Sequence, residues 1–332
     1  MSPNTSFKSF AFVAVLLCAT VAMAAETKVE VILFPGVLAT GVFVARDLGL
    51  FADEGLEVEI EHTPNSKYLV TELVKGTYQI AQASIDNFFA YQSGQGAAPL
   101  DREPDLRVFM GGATLDLNLV VGPDIGSYDE LRGRTIGVDA ATTGWAFVML
   151  TMLERGGLSK DDYLLREVGN TKKLSEALVS GDIKAAILFG SYFDEAVGQG
   201  MTRLDGSHER IGPYQGSSFA VSDAWAKAHP DVVTGFSRAY VRAMDVVFDR
   251  GRRREVIDIL IENVPMTPEI AASNLDALTQ DGSGFSRDGA LNMEGVETVL
   301  SLRARFGVPP RESLDLSDFV DLDYYRKAIE TR

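Results

Sequence analysis

A single cysteine, Cys18, serves the whole 332-residue chain, and it lies in an apolar opening segment. Once that segment is removed, neither a disulfide nor a thiol nucleophile can form. Histidine is nearly as scarce: His62, His208 and His229 are far apart and without ligand spacing. No HExxH, CxxC or EF-hand pattern occurs, so neither a metal nor any other cofactor is expected. GxSxG is missing too, which removes the usual serine-hydrolase signature. Positive charge is in deficit, with 31 Lys and Arg against 47 Asp and Glu and a net charge of −16. That balance excludes nucleic acid as a natural partner. The one dense basic run, RGRRRE at Arg250–Glu255, reads as a solvated helix start. Beyond the opening segment no apolar run reaches the ~20 residues of a membrane-spanning helix.

The opening segment itself carries Lys8, an apolar run from Phe10 to Met23 and the small residues Ala22 and Ala24. This is the pattern of an export signal over residues 1–24, cleaved near Ala24/Ala25. Leu17 stands where a lipidation signal requires a small residue before Cys18, so no lipid anchor is expected. The processed chain is expected in the periplasm without membrane insertion, one unit more negative than the whole because Lys8 leaves and no acid does. It exceeds the ~250–300 residues over which one core keeps growing, so two lobes with separate cores are predicted.

The densest structural signal is TGVFVARDLGLFADEGLEVEIEH, Thr40–His62. A helix runs into turns at Gly49 and Gly55, and Leu56, Val58 and Ile60 then alternate with Glu57, Glu59 and Glu61, a strand with one wet face. The preceding strand, Val29–Pro35, makes this half of a βαβ unit, with residues 36–40 at the mouth of the sheet, where open α/β folds bind ligands. A helix over Lys67–Lys75, a strand over Tyr78–Ala83 and a helix opened by Ser84 continue the pattern. Two apolar strands, LRVFMGG and LNLVVG, break near Ala113–Asp116, the first candidate crossing between lobes. Residues 127–190 repeat the βα pattern, with Thr142 or Thr143 as a helix N-cap and Gly156 just beyond the helix end. PYQGSSFAVS, Pro213–Ser222, is the predicted return crossing, and from Asp223 onward the pattern is helical, notably over Asp231–Phe248, Arg253–Asn263, Pro268–Leu278 and Met293–Phe306. One lobe is therefore discontinuous in sequence, and the cleft beside the two crossings is a device for enclosing a small molecule.

VARDLGLFADEGLEVEI, LVKGTYQIAQAS, SYDELRGRTIGVD, LVSGDIKAAIL and AWAKAHPDVVTGFSRAYVRAM together resemble the periplasmic solute-binding proteins of ABC importers. The resemblance is to the branch shared by sulfonate, taurine and nitrate binders (SsuA/TauA-like) and by NMT1/THI5-like pyrimidine binders. It implies an α/β, type II periplasmic-binding fold: two βαβ lobes joined by a two-strand hinge, with a helical C-terminal extension. Lobe 1 is expected over 25–117 and 218–332, and lobe 2 over 118–217. The resemblance implies a monomer that is not an enzyme, capturing an aromatic, heteroaromatic or organic-anion solute and delivering it to an inner-membrane ABC permease. Pyrimidine synthases of the superfamily use a cysteine-rich motif and a sacrificial histidine, and the processed chain has no cysteine. An enzyme on this scaffold, or a sensing subunit docked on a membrane receptor, is the alternative.

Carried over position by position, the resemblance puts Gly36, Leu38, Thr40, Ser84, Asp86, Asp116, Asn118, Thr142, Thr143, Gly144, Trp145, Asn170 and Tyr192 on one ligand-binding rim. Thr142, Thr143 and the Gly144 amide open a helix whose positive end suits an anionic or electron-rich group, although a plain cap explains them equally. Trp145 is a stacking wall or a packing residue, with Phe34, Tyr192 and Phe193 as further aromatic candidates. Capping also accounts for Ser84 and Asp86, and hinge hydrogen bonding for Asp116 and Asn118. Lys172 near Asn170 reads as a solvated lysine.

Overall fold

A computed structural model describes residues 26–280 and 282–332, so the expected export signal over 1–24 lies outside the described residues. The chain opens with strand β1 (Thr27–Leu33), helix α1 (Thr40–Asp47), β2 (Leu56–His62), α2 (Ser66–Lys75), β3 (Ile80–Ser84), α3 (Ile85–Gln92) and β4 (Leu106–Thr114). It continues through β5 (Asn118–Val121), β6 (Thr135–Val138), α4 (Gly144–Arg155), β7 (Leu164–Glu167), α5 (Thr171–Val179), β8 (Ala185–Leu188), α6 (Ser191–Gly198), β9 (Thr202–Gly206) and α7 (Ser207–Ile211). The last part comprises β10 (Gln215–Ser222), α8 (Asp223–Ala228), α9 (Pro230–Phe248), α10 (Arg253–Asn263), α11 (Pro268–Leu278), β11 (Gly284–Phe285), α12 (Met293–Phe306) and α13 (Asp323–Glu330).

The strands form two sheets, ordered β11-β4-β10-β3-β1-β2 and β7-β6-β8-β5-β9. β2 pairs in parallel with β1 at the edge, and its burial alternates as the sequence alternates: Leu56 and Val58 inside, Glu57, Glu59 and Glu61 outside. Gly49, Gly55 and Gly76 all take left-handed φ where the chain leaves a helix or turn, a conformation that costs glycine little. After α4 the left-handed residue is Gly157, with φ of 89°, and not Gly156, which keeps φ of −79°. The helix therefore ends one residue later than its first glycine suggests.

Each sheet receives one antiparallel strand directly from the other. β5 enters the second sheet antiparallel to β8, and β10 enters the first between β3 and β4, antiparallel to both. The two crossing segments are bonded together: Leu115 N donates to Tyr214 O at 2.9 Å and Ser207 N to Leu117 O at 2.8 Å. Leu117 N also donates to Ser207 Oγ at 2.8 Å. The return crossing contains α7, and Gln215 already pairs with Thr114 of the first sheet.

The expectation of one core per lobe needs correction. The larger apolar cluster runs through both sheets, from Val29 and Phe43 to Ile136, Phe147 and Met152. A smaller one, with Val120, Leu174, Leu178 and Leu188, fills the α5/α6 side of the second sheet. The cause is α12, which packs along α4: the rings of Phe147 and Phe306 stack with centroids 5.6 Å apart, and Arg305 Nη2 reaches Glu154 Oε1 at 2.6 Å.

Candidate ligand-binding cleft

The segments that follow β3 and β6 meet at the start of α4, where the first sheet's side comes against the second's. A methyl group placed on Gly144 would lie 2.4 Å from the Tyr214 hydroxyl and 2.7 Å from Asp86 Cγ. Glycine at the first position of α4 is thus what permits this contact. Asp86 is buried and bound by Arg303 of α12, whose Nε donates to Oδ1 at 2.8 Å while Nη2 donates to Oδ2. Arg303 Nη2 also reaches the Thr142 carbonyl at 3.2 Å, and the guanidinium lies over Phe147, 4.5 Å from its centroid. Arg303 is 1% exposed. One buried guanidinium thereby joins the β3 exit to the loop that opens α4.

Around this pair, Ser84 Oγ, Tyr214 Oη and Arg303 Nη1 are buried without a hydrogen-bond partner among the described residues. Ser84 makes no side-chain cap to α3, so capping does not account for it. Burial and the neighbouring Asp86 charge hold the Tyr214 phenol well above its ordinary range.

The remaining expected rim residues divide by what already binds them. Thr143 is the N-cap of α4, accepting from Ala146 N at 3.2 Å and donating to Asp139 Oδ1 at 2.6 Å. Asn170 caps α5 through Lys173 N at 3.1 Å. The Thr40 hydroxyl is buried and donates to Val37 O at 2.6 Å, and the Leu38 carbonyl accepts from Gln82 Nε2 at 2.9 Å. Asp116 and Asn118 are engaged at the crossing: Asp116 accepts from His208 N at 2.9 Å and Asn118 Oδ1 from Arg203 Nε at 2.7 Å. Thr142 is exposed, and Gly36, Trp145 and Tyr192 are half-buried. Gly36 adopts φ of 152° and ψ of −178°, a region closed to other residues. Trp145 lies beside Val138, Asp139, Met149 and Leu174, partly buried against the larger core. Phe34 is 40% exposed at the end of β1, Phe193 packs on the smaller core, and Lys172 is solvated beside Glu176. Across the cleft a methyl group on Gly190 would sit 3.2 Å from Asn274 Oδ1 of α11.

The model of the NMT1/THI5-like family matches residues 38–252, most of the chain. The chain belongs to this family. A riboflavin-binding protein, RibY of Chloroflexus aurantiacus, is 25% identical over 213 residues, a match covering 63% of this chain and 59% of that relative's length. Two solved structures share the fold at low identity. The periplasmic nitrate-binding protein NrtA of Synechocystis PCC 6803 has a TM-score of 0.76 at 12% identity, covering 92% of this chain and 89% of that one. The periplasmic aliphatic sulphonate binding protein SsuA of Escherichia coli has 0.69 at 16%, covering 89% and 92%. The NMT1/THI5-like chain described here therefore has the periplasmic-binding-protein fold.

Arg303, Tyr214 and Asp139, gathered about the start of α4 in this family member, are residues that sequence reasoning passed over. Arg303 carried a signal: it follows Val296, Val299 and Leu300 at helical spacing i, i+3, i+4, i+7, so it falls on the buried stripe of α12.

The Asp139 carboxyl is held above its ordinary value chiefly by burial, with the Asp86 charge acting in the same direction and the Thr143 hydroxyl opposing. A raised carboxyl binds its proton more tightly folded than unfolded, so its ionisation costs stability as pH rises through the folded value. Asp139→Asn, which can still accept from Thr143, is therefore expected to raise the denaturation midpoint at pH 7. The gain should vanish in acid, where Asp139 is protonated in both states. Equal midpoints at both pH values would refute the sign.

Proposed function

We propose that the processed chain is an extracytoplasmic solute-binding component of an ABC importer, a monomer that closes on a small organic solute and presents it to an inner-membrane permease. The observation carrying this reading is the meeting of strand exits from two sheets joined by only two crossing segments, in a chain of the NMT1/THI5-like family. Such a joint lets one lobe rotate on the other, and a solute touching both lobes supplies the differential affinity that closure requires. The fold shared with the sulphonate- and nitrate-binding proteins supports import as the class of function. The riboflavin-binding relative and the half-buried Trp145, Tyr192 and exposed Phe34 on the rim favour a planar heteroaromatic solute. Micromolar affinity, about −8 kcal/mol, is within reach of one stacked ring and a few buried hydrogen bonds. With Cys18 in the export signal, the cysteine-based enzyme alternative has no nucleophile in the processed chain.

Native mass spectrometry of residues 25–332 purified from a rich lysate tests the proposal. One unmodified solute per chain, released on denaturation, is the expected result. A chemically altered solute, or a chain that has lost mass at a histidine, would mean an enzyme instead.

A further inference from the structure

The sides of the two sheets are joined by more than the two crossing segments. α12 is fastened to the first sheet at its start, where Asn292 N donates to Gln215 Oε1 at 2.9 Å and a methyl group on Gly295 would lie 2.7 Å from Gln215 N. Further along, Arg303 is bound to Asp86 of α3. The end of α12 then reaches the second sheet's side. Arg303 Nη2 donates to the Thr142 carbonyl at 3.2 Å, Phe306 stacks on Phe147 with centroids 5.6 Å apart, and Arg305 Nη2 meets Glu154 Oε1 at 2.6 Å. Phe147 and Glu154 stand about two turns apart on α4, so they share the face that α12 covers. We infer that the last turn of α12 is a third, non-covalent strut of the hinge, which restrains rotation between the lobes and loosens when its exposed charge pair is screened or reversed.

Two extended segments can bend and twist about their own line, and a contact set away from that line removes part of this freedom. α4 is well placed to transmit the restraint, because Arg155 Nη1 at its end donates to Arg210 O of the return crossing at 2.6 Å. The three contacts of α12 respond differently to their surroundings. Arg303 and Phe147 are buried, so added salt does not reach them. The side chains of Arg305 and Glu154 are 53% and 50% exposed, so ions screen this pair and its share of the restraint is small. The aromatic stack and the buried guanidinium therefore hold the strut, and the Arg305–Glu154 pair gives it a salt response.

The inference rests on the two-lobe reading above and is tested without a solute, so the two can fail separately. Residues 25–332 contain no cysteine. Lys172→Cys on α5 and Ile270→Cys on α11, both at exposed positions, therefore take one spin label on each side of the cleft. Double electron–electron resonance then reads the distance between them. Arg305→Glu combined with Phe306→Ala is expected to make the distance distribution at least about twice as broad as in the labelled parent, through added rotation about the crossings. Adding Glu154→Arg to Arg305→Glu should restore the narrow distribution. Sodium chloride should act with opposite signs, broadening the parent, whose attraction it screens, and narrowing Arg305→Glu, whose repulsion it screens. Should Phe306→Ala cost the fold its cooperative melting, Arg305→Glu and its charge-swapped partner decide alone, since both side chains are half in solvent. A distribution indifferent to charge reversal, or a swap that fails to restore it, overturns the inference and leaves the solute-binding reading standing. A chain that never yields a solute in native mass spectrometry defeats that reading and leaves the strut in place.

Discussion

Replacing Arg303 with methionine is expected to destabilise the fold by about 3–5 kcal/mol, the usual cost of stranding one partner of a buried ion pair. Methionine keeps much of the volume against Phe147, so the loss would come from Asp86, left as an uncompensated carboxylate in a dry site. The Thr142 carbonyl would lose its donor as well. Urea denaturation followed by circular dichroism measures the change. Asp86→Asn on top of Arg303→Met should recover most of it, because two uncharged groups of similar size bear no such burial penalty. A single-variant loss below about 1 kcal/mol would place the pair at a wet surface, where exposed ion pairs contribute that little.

Gly144→Val should act on the relation between the lobes more than on either lobe alone. Its Cβ would come within 2.4 Å of Tyr214 Oη and 2.7 Å of Asp86 Cγ, and neither can withdraw: Tyr214 is fully buried and Asp86 is held by Arg303. Overpacking of this kind costs about 1–3 kcal/mol unless an element shifts. On the proposed two-lobe reading, α4 shifts by opening the cleft. The expected outcome is a larger radius of gyration in solution scattering and at least a tenfold weaker solute, about 1.4 kcal/mol. Gly198→Ala is the control, since nothing lies within 4 Å of a methyl group there. Unchanged scattering and affinity in Gly144→Val would show that α4 does not bear on closure.

The fold was legible where local pattern and tertiary burial agree. β2 lies at a sheet edge with one wet face, so its alternation survives in the sequence. The helices α9, α10, α11 and α12 match their expected spans to within one residue: α10 and α11 each bury one stripe beneath a polar face, and α9, buried on most sides, keeps its period in a long apolar run. β9, with the polar sequence TRLDG, gave no periodic signal, and its pairing with β5 shifts register midway. β11 is two residues long and exists only because β4 offers it an edge. The site was less legible, since a short polar residue at a strand exit reads the same whether it caps a helix, ties a hinge or meets a ligand. Thr143 and Asn170 proved to be caps, while Ser84 did not. Arg303 is hard to read from sequence because arginine is ordinarily solvated, and only the pairing of α12 with α4 and α3 explains its burial.

The place of β10 bears on how the chain acquires its fold during synthesis. β10 is the strand between β3 and β4, so the first sheet has an empty slot until residues 215–222 arrive. Everything from 115 to 214 must therefore be in place before the amino-terminal strands can seal. Closing so long a loop is slow, because its entropy is lost before β10 rewards it with pairing on both sides. A chain that has not yet supplied residues 215–222 consequently remains unfinished over its first hundred residues.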